Sequence, residues 1–227
     1  MRFHDLTDDL NEGINDNAIF KAIFMAGGPG SGKSFIAKQT GLAGLGFKVI
    51  DSDSAFERYL DDAGLDKRDD DDIASPEGQE LRDKARRVTT AKLDHSTDGK
   101  LGVVVDGTGR DYNKIKGQKA QLRELGYDCA MIFVNTDLET AQERNIKRGE
   151  EGGRTLPPEM AKQFWHDVQG NIGKFQNLFG RNMYIVDNSK ESNVQGAMQS
   201  VYKRMAEWAA APHRNPTALA WVFANQK

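Results

Sequence analysis

The sequence contains a single cysteine and no long hydrophobic run. One cysteine excludes an intramolecular disulfide, and the position of Cys129 in the apolar run CAMIFV favours a buried, inert thiol. No stretch reaches the roughly 18 apolar residues of a membrane span. The N-terminal stretch MRFHDLTDDLNEG is polar and acidic, unlike a signal peptide. These absences predict a cytoplasmic protein with no membrane partner.

The chain also lacks a strong excess of either charge, since 31 Lys and Arg face 34 Asp and Glu for a net charge of −3. This balance excludes a strongly basic nucleic-acid coat protein, so any polyanion must be bound by a local patch. Two segments with helical spacing, residues 77–95 and 112–125, are rich in Lys and Arg. Most such clusters are solvated helix faces, and the sequence leaves nucleic-acid binding open.

Five short apolar runs are present, and each is nearly continuous rather than alternating. This pattern is typical of strands buried on both faces, as in a parallel sheet. Segments with helical spacing separate the runs, and strands that alternate with helices predict a doubly wound α/β fold with a five-stranded parallel sheet. The predicted strands are Ile19–Ala26, Phe47–Ile50, Leu101–Val105, Cys129–Val134 and Met183–Val186.

The pattern divides the chain into three parts. Residues 1–17 form a predicted N-terminal arm, residues 18–210 the α/β domain, and residues 211–227 a C-terminal extension that packs on the domain or on a partner. Within the domain, residues 61–78 are predicted to be a solvated acidic loop that ends where Ser75 caps a helix. A metal site in this loop is the weaker interpretation.

The strongest motif lies at residues 27–34, with the sequence GGPGSGKS. It matches the Walker A phosphate-binding pattern, it follows a predicted strand and it precedes a predicted helix. Glycines permit positive φ and let backbone N–H groups approach phosphate oxygens, while the helix N-terminus adds partial positive charge. The predicted phosphate-binding residues are Gly27, Gly28, Gly30, Ser31, Gly32, Lys33 and Ser34.

Within this motif, Lys33 is predicted to reach the β- and γ-phosphates and Ser34 to place its hydroxyl on Mg²⁺. The motif therefore predicts that the chain binds a nucleoside triphosphate, with ATP and Mg²⁺ as the expected pair. By itself it does not distinguish a kinase from an ATPase or a GTPase.

Carboxylates follow the second and third predicted strands, at the edge where ligands of this fold bind. We expect Asp53 to accept a proton from an attacking hydroxyl, and Asp106 to hold the metal or position the substrate. Asp51 has the alternative role of capping the next helix. Arg110, in the DGTGR stretch, lies beside the same cleft.

A basic segment, residues 144–158, contains a glycine-rich joint, and basic residues lie on both sides of that joint. Its arginines include Arg144 and Arg148, which share a helix face, and Arg154. A hinged, arginine-bearing segment predicts a lid that closes over ATP, neutralises the transferring phosphoryl group and excludes water. A charged surface helix followed by an ordinary turn is the alternative.

Five stretches in this order resemble the zeta-toxin-like and polynucleotide-kinase-like P-loop kinases, over residues 18–190. They are GGPGSGKS, VIDSDSAFERYL, VVVDGTGR, ERNIKRGEEGGRTLPPE and IVDNS. The resemblance implies phosphorylation of a hydroxyl by ATP and Mg²⁺, on a nucleotide-activated sugar or a nucleic-acid 5′ end. Zeta toxins often carry Glu where this chain has Asp106.

The resemblance also implies roles for individual residues. The general base of the family maps onto Asp53, with Arg58 near the acceptor. Lid arginines that contact the phosphates map onto the 144–154 region, with Arg148 and Arg154 as the catalytic pair, and Asn188 maps near the nucleotide base.

The leading hypothesis is a kinase that transfers the γ-phosphoryl group of ATP to a hydroxyl of a nucleotide-sugar, a nucleotide or a nucleic-acid 5′ end. The alternative is an ATP-binding module or an ATPase within a larger assembly. The oligomeric state stays open.

Overall fold

Five parallel strands form one sheet in the computed structural model, which describes residues 18–225. The predicted N-terminal arm, residues 1–17, lies outside the described residues. The strand order is β2-β3-β1-β4-β5, which confirms the predicted α/β fold. The strands are β1 (Lys21–Ala26), β2 (Lys48–Ile50), β3 (Val103–Asp106), β4 (Asp128–Asn135) and β5 (Met183–Asp187).

The central strands β3, β1 and β4 are mostly apolar because both faces of the sheet are covered there, whereas Val49 of β2 and Ile185 of β5 are exposed at the edges. Along β1, Phe24 points into one core cluster with Phe133 and Phe175, whereas Ile23 and Met25 point into a second cluster on the other face. Alternate residues thus enter opposite cores, and the strand has no polar face.

Ten α-helices surround the sheet within residues 18–225. They are α1 (Lys33–Gln39), α2 (Ser52–Ala63), α3 (Asp70–Ala74), α4 (Pro76–Asp98), α5 (Tyr112–Glu124), α6 (Leu138–Glu150), α7 (Pro158–Gln169), α8 (Ile172–Phe179), α9 (Val194–Ala210) and α10 (Pro216–Asn225). None of them combines the length and the apolar composition that a membrane crossing requires.

The acidic segment is not a continuous loop, because its aspartates form the short helix α3. The Asp69 side chain accepts a hydrogen bond from the Asp71 N–H, and acidic residues fill the first turn, where the helix dipole favours them. The predicted cap at Ser75 is present, since its Oγ accepts from the Gly78 N–H at 3.0 Å.

Residues 159–178 have helical spacing throughout, but they form two helices, α7 and α8, instead of one. The break falls at Gly170 and Asn171, two residues of low helix propensity. Asn171 is buried, and its Nδ2 donates to the carbonyls of Gly109 and Arg110 at 3.1 and 2.9 Å. The break therefore supports the loop that follows β3.

The C-terminal extension packs on the domain through α10. Ala218 is fully buried, and the Trp221 ring meets the Phe20 ring edge-on at 5.5 Å between centroids. This contact agrees with the expectation that the tail packs on the domain, as far as residue 225.

Candidate functional site

The glycine-rich loop joins β1 to α1 at the carboxyl edge of the sheet. Gly30 and Gly32 have φ of 70° and 83°, a region that disfavours side chains. A Cβ on Gly30 would lie 2.1 Å from the Ala141 carbonyl oxygen, and one on Gly32 would lie 2.3 Å from Asn188 Nδ2. Both glycines are therefore required by backbone conformation and by space.

Neighbouring elements hold this loop in place. The Gly27 N–H donates to the Thr108 carbonyl at 3.1 Å, and Asn188 Nδ2 donates to the Ser31 carbonyl at 2.7 Å. Arg144 Nη1 lies 3.5 Å from the Gly30 carbonyl oxygen. The structure thus places Arg144 and Asn188, both predicted to bind the nucleotide, directly on the backbone of the phosphate loop.

Two polar atoms near the loop lack partners among residues 18–225. They are Ser31 Oγ and Asp106 Oδ1, both of which are buried. Buried polar atoms are normally hydrogen-bonded, so these two are candidates for ligand contacts. Lys33 and Ser34 begin α1 beside them, which agrees with a site for phosphate oxygens and Mg²⁺.

Asp106 ends β3, level with Met25 at the end of β1. Burial raises the pKa of its carboxyl, and the charges of Asp51 and Asp53 raise it further, whereas Lys33 opposes the shift. The charges of Asp51, Asp53 and Lys33 therefore act on Asp106, as expected of side chains that lie at the same edge of the sheet.

Asp51 and Asp53 follow the same strand but differ in their surroundings. The Asp51 carboxylate caps α2, where it accepts from the Asp53 and Ser54 N–H groups at 2.9 and 3.3 Å and from the Ser54 hydroxyl. The Asp53 side chain is 71% exposed at the first turn of α2. Asp51 therefore has the capping role foreseen as its alternative, and Asp53 is open to a substrate.

The arginine segment, which runs from the last turns of α6 to the start of α7, contacts α2 through two ion pairs. Arg154 Nη1 lies 3.6 Å from Asp53 Oδ1, and Arg148 Nη2 donates to Glu57 Oε1 at 2.7 Å. Sequence reasoning missed Glu57. Its signal is the spacing of four from Asp53, which puts both carboxylates on one face of α2.

Asn145 fixes the far end of the arginine segment. This buried side chain donates to the Leu156 carbonyl at 2.7 Å and accepts from the Leu156 N–H at 3.1 Å. The segment is therefore held at both ends, by α6 and by α2.

The remaining predicted acceptor residues occupy two different places. The Arg110 guanidinium lies 3.8 Å from the centroid of the Phe164 ring, beside a cavity of about 460 Å³. Arg58 is exposed and lies over the Tyr59 ring, 5.3 Å from its centroid. Within the described chain, no hydrogen bond or ion pair joins Arg58 to Asp53.

The family model of the zeta toxins matches residues 7–200. The chain belongs to the zeta toxin family. This membership confirms the expected resemblance, and the family implies ATP as the bound nucleotide, usually with Mg²⁺. None of the curated proteins matches this family member in sequence.

Solved structures share the fold of this chain. A chain from the PezAT chromosomal toxin–antitoxin system of Streptococcus pneumoniae has a TM-score of 0.60 at 17% identity, over 91% of this chain and 94% of that one. A chain of the Pnkp1/Rnl/Hen1 RNA repair complex has a TM-score of 0.56 at 19% identity, over 71% of this chain and 48% of that one. At such identities these likenesses establish the P-loop kinase fold and nothing finer.

Proposed function

We propose that the protein transfers the γ-phosphoryl group of ATP to a hydroxyl of a bound nucleotide-sugar, nucleotide or nucleic-acid 5′ end. The observation that carries the proposal is the ion pair between Asp53 and Arg154, 3.6 Å apart. It joins the candidate base to the candidate lid at the edge that holds the phosphate loop.

The phosphate loop and Lys33 bind the triphosphate in this proposal. Backbone N–H groups and the N-terminus of α1 face the phosphates, and Lys33 neutralises part of their charge. Ser34 and Asp106 would hold Mg²⁺, with the unpartnered Asp106 Oδ1 as a ligand atom. The metal, when bound, supplies further charge neutralisation at the phosphates.

Asp53 acts as the general base toward the acceptor. Its carboxylate takes the proton of the acceptor hydroxyl as that oxygen attacks the γ-phosphorus, and the bond to the ADP oxygen breaks. Arg154 must exchange its contact with Asp53 for one with the phosphoryl group. Arg148 and Arg154 then neutralise the charge that spreads over the transferring group.

The acceptor binds between the ends of β2 and β3. In this proposal Asp53, which follows β2, and Arg110, which follows β3, are the residues that contact the acceptor. The cavity beside Arg110 is lined by polar and aromatic side chains suited to a polar acceptor, namely Arg110, Asp111, Tyr112, Asn113, Asn171 and Lys174. Asn171 fixes the Arg110 backbone and thereby the shape of this wall.

The test is transfer of labelled γ-phosphate from ATP and Mg²⁺ to a panel of 5′-hydroxyl oligonucleotides, nucleosides, nucleotides and nucleotide-sugars. We expect one acceptor class to be labelled much faster than ATP is hydrolysed. If water is the sole acceptor across the panel, phosphotransfer to a hydroxyl is wrong and an ATPase or ATP-binding module takes its place.

A further inference from the structure

Arg82 is a basic residue that the proposed reaction does not use. It lies on α4, which packs against α2, and its guanidinium carbon is 4.8 Å from the centroid of the buried Phe56 ring. The guanidinium carbon of Arg154 is 5.8 Å from the same centroid. Two guanidinium groups from separate elements thus converge on a ring only three residues beyond Asp53.

The charges around this ring do not balance. Asp53 pairs with Arg154, whereas Arg82 has no carboxylate within ion-pair distance in the described part of the chain. Burial lowers the pKa of Arg82, Arg154 and Arg86 lower it further, and Asp53 and Asp83 oppose the shift. Asp83 is paired with Arg86, so Asp53, the candidate base, is the nearby carboxylate that the two half-buried cations Arg82 and Arg154 share.

A half-buried guanidinium without an anionic partner is unfavourable unless a ligand supplies the anion. The phosphate loop follows β1, whereas α2 and α4 stand at the β2 side of the sheet, with β3 between the two. Arg82 therefore stands on the side of Asp53 and of the acceptor. The guanidinium fork matches the oxygens of a phosphate or a carboxylate.

We propose that Arg82 is a specificity-determining residue that binds an anionic group of the acceptor, a phosphate or a carboxylate, beside Asp53. This inference rests on the proposed function, because it assigns the acceptor side of the same site. Arg154 completes the subsite while it is paired with Asp53, and Arg82 retains the anion when Arg154 turns to the phosphoryl group.

The first test compares Arg82→Gln with Arg86→Gln in the labelled transfer assay. Arg86 is a matched control, because it carries the same charge one turn along α4 and is exposed and paired with Asp83 at 3.2 Å. The acceptors form charged and neutral pairs: a 5′-hydroxyl dinucleotide with a phosphodiester or a methylphosphonate linkage, and a nucleotide-sugar or its free sugar.

We expect Arg82→Gln to raise the KM of the charged acceptor about tenfold, as the loss of a charge-assisted hydrogen bond implies, and to leave the KM of ATP unchanged. The neutral acceptor should respond little, and Arg82→Lys should show a smaller defect because the charge remains. Equal effects of Arg82→Gln and Arg86→Gln, or equal effects on charged and neutral acceptors, would overturn the inference.

The second test does not require turnover. Inorganic pyrophosphate is titrated by calorimetry into protein saturated with a non-hydrolysable ATP analogue and Mg²⁺, so that the phosphate loop is filled. We expect binding that Arg82→Gln weakens about tenfold and that Arg86→Gln preserves. Binding that Arg82→Gln does not weaken contradicts the subsite, and so does an absence of binding.

The two tests separate the inference from the proposed function. Pyrophosphate binding that depends on Arg82, without transfer to any acceptor, would retain the anion subsite and reject the kinase. Transfer that is insensitive to Arg82 on charged and neutral acceptors alike would retain the kinase and reject the subsite. Thermal unfolding of Arg82→Gln and Arg82→Lys checks that the contact with Phe56 is not needed for folding.

Discussion

The two edges of the sheet treat their charges in opposite ways. At the amino edge, Lys21 begins β1 level with Asp128 at the start of β4. Its ammonium, 1% exposed, pairs with Asp128 at 3.1 Å and donates to the Ala211 carbonyl at 3.0 Å. The Arg214 N–H also donates to Asp128, at 3.2 Å. The charges here are satisfied within the chain.

At the carboxyl edge, polar groups are left open. Ser31 Oγ and Asp106 Oδ1 are buried without a partner in the described residues, and Asp53 is largely exposed. His213 Nδ1 is the exception near the amino edge, where burial lowers the imidazole pKa and so favours the neutral ring. The difference separates polar groups that stabilise the fold from those that are available to bind a ligand. It predicts that substitutions at the amino edge affect stability and that substitutions at the carboxyl edge affect activity.

The largest effect should come from Asp53→Asn at the carboxyl edge. Loss of a general base lowers the rate of proton transfer, so we expect labelled transfer to fall by about 10²–10⁴-fold. ATP affinity, measured by calorimetry, and the unfolding midpoint should stay close to wild type, because Asp53 is largely exposed and its proposed role is toward the acceptor.

The control for this variant is Asp62→Asn, an exposed position on the same helix, which should be active. If Asp53→Asn transfers phosphate at the wild-type rate, another group is the base. If it unfolds instead, the carboxyl edge is also structural and the contrast between the edges is wrong.

Asp128→Ala at the amino edge should show the opposite pattern. The substitution leaves the Lys21 ammonium buried without its carboxylate, and such a loss costs about 3 kcal/mol. We expect urea denaturation to show this decrease in the free energy of unfolding. The folded variant, at urea concentrations below the unfolding transition, should retain its ATP affinity. Asp66→Ala, which breaks the exposed pair with Arg68, should change the midpoint little. An Asp128→Ala protein as stable as wild type would show that the charges at the amino edge do not stabilise the fold.

The sequence predicted the strands and the phosphate loop well because their signals are local. A strand buried on both faces is a continuous apolar run, and the Walker A pattern places its glycines and Lys33 within eight positions. Asp53 and Asp106 were predicted because they directly follow strands, so the topology brings them to one edge.

The missed features depend on contacts between distant segments. Glu57 was missed although its spacing of four from Asp53 is visible in the sequence, because its partner Arg148 comes from a distant segment. Arg82 was expected only as part of a basic helix, because its contact with Phe56 depends on the packing of α2 on α4. The break at Asn171 was missed because the Asn171 side chain is held by the carbonyls of Gly109 and Arg110, which lie in a distant segment of the chain. Helix α10 was not predicted, although Pro216 lies at its first position, where proline is favoured.

Asp106→Asn should stabilise the protein while it weakens the site. Because the pKa of Asp106 is raised, the folded protein holds this proton more tightly than the unfolded chain does. Stability from this group is present in acid and is lost as the pH rises through the raised pKa, so the ionised carboxylate is a cost at neutral pH. We expect Asn to add about 1 kcal/mol there, as substitutions of strained site residues often do.

The measurement is thermal unfolding of nucleotide-free and metal-free protein at neutral and at acidic pH. The advantage of Asn over Asp should shrink in acid, where wild-type Asp106 is protonated. The affinity for ATP with Mg²⁺ should fall in the same variant. A variant that is less stable than wild type at neutral pH would show that the Asp106 carboxylate is part of the structural framework, as Asp128 is.

The smallest effect should come from Glu57→Gln, because the pair with Arg148 is partly exposed, with 26% and 56% of the two side chains accessible. Such a pair contributes about 0.5 kcal/mol to the contact between the arginine segment and α2. Its loss should therefore lower the transfer rate by about twofold to threefold. Glu143→Gln, which breaks the more exposed pair with Lys190 away from Asp53, is the control and should be neutral. A hundredfold loss in Glu57→Gln would mean that Glu57 acts on the substrate itself, and two catalytic carboxylates on α2 would then replace one. An effect equal to that of Glu143→Gln would mean that Arg154 alone fastens the segment, through the same Asp53 that must release it for transfer.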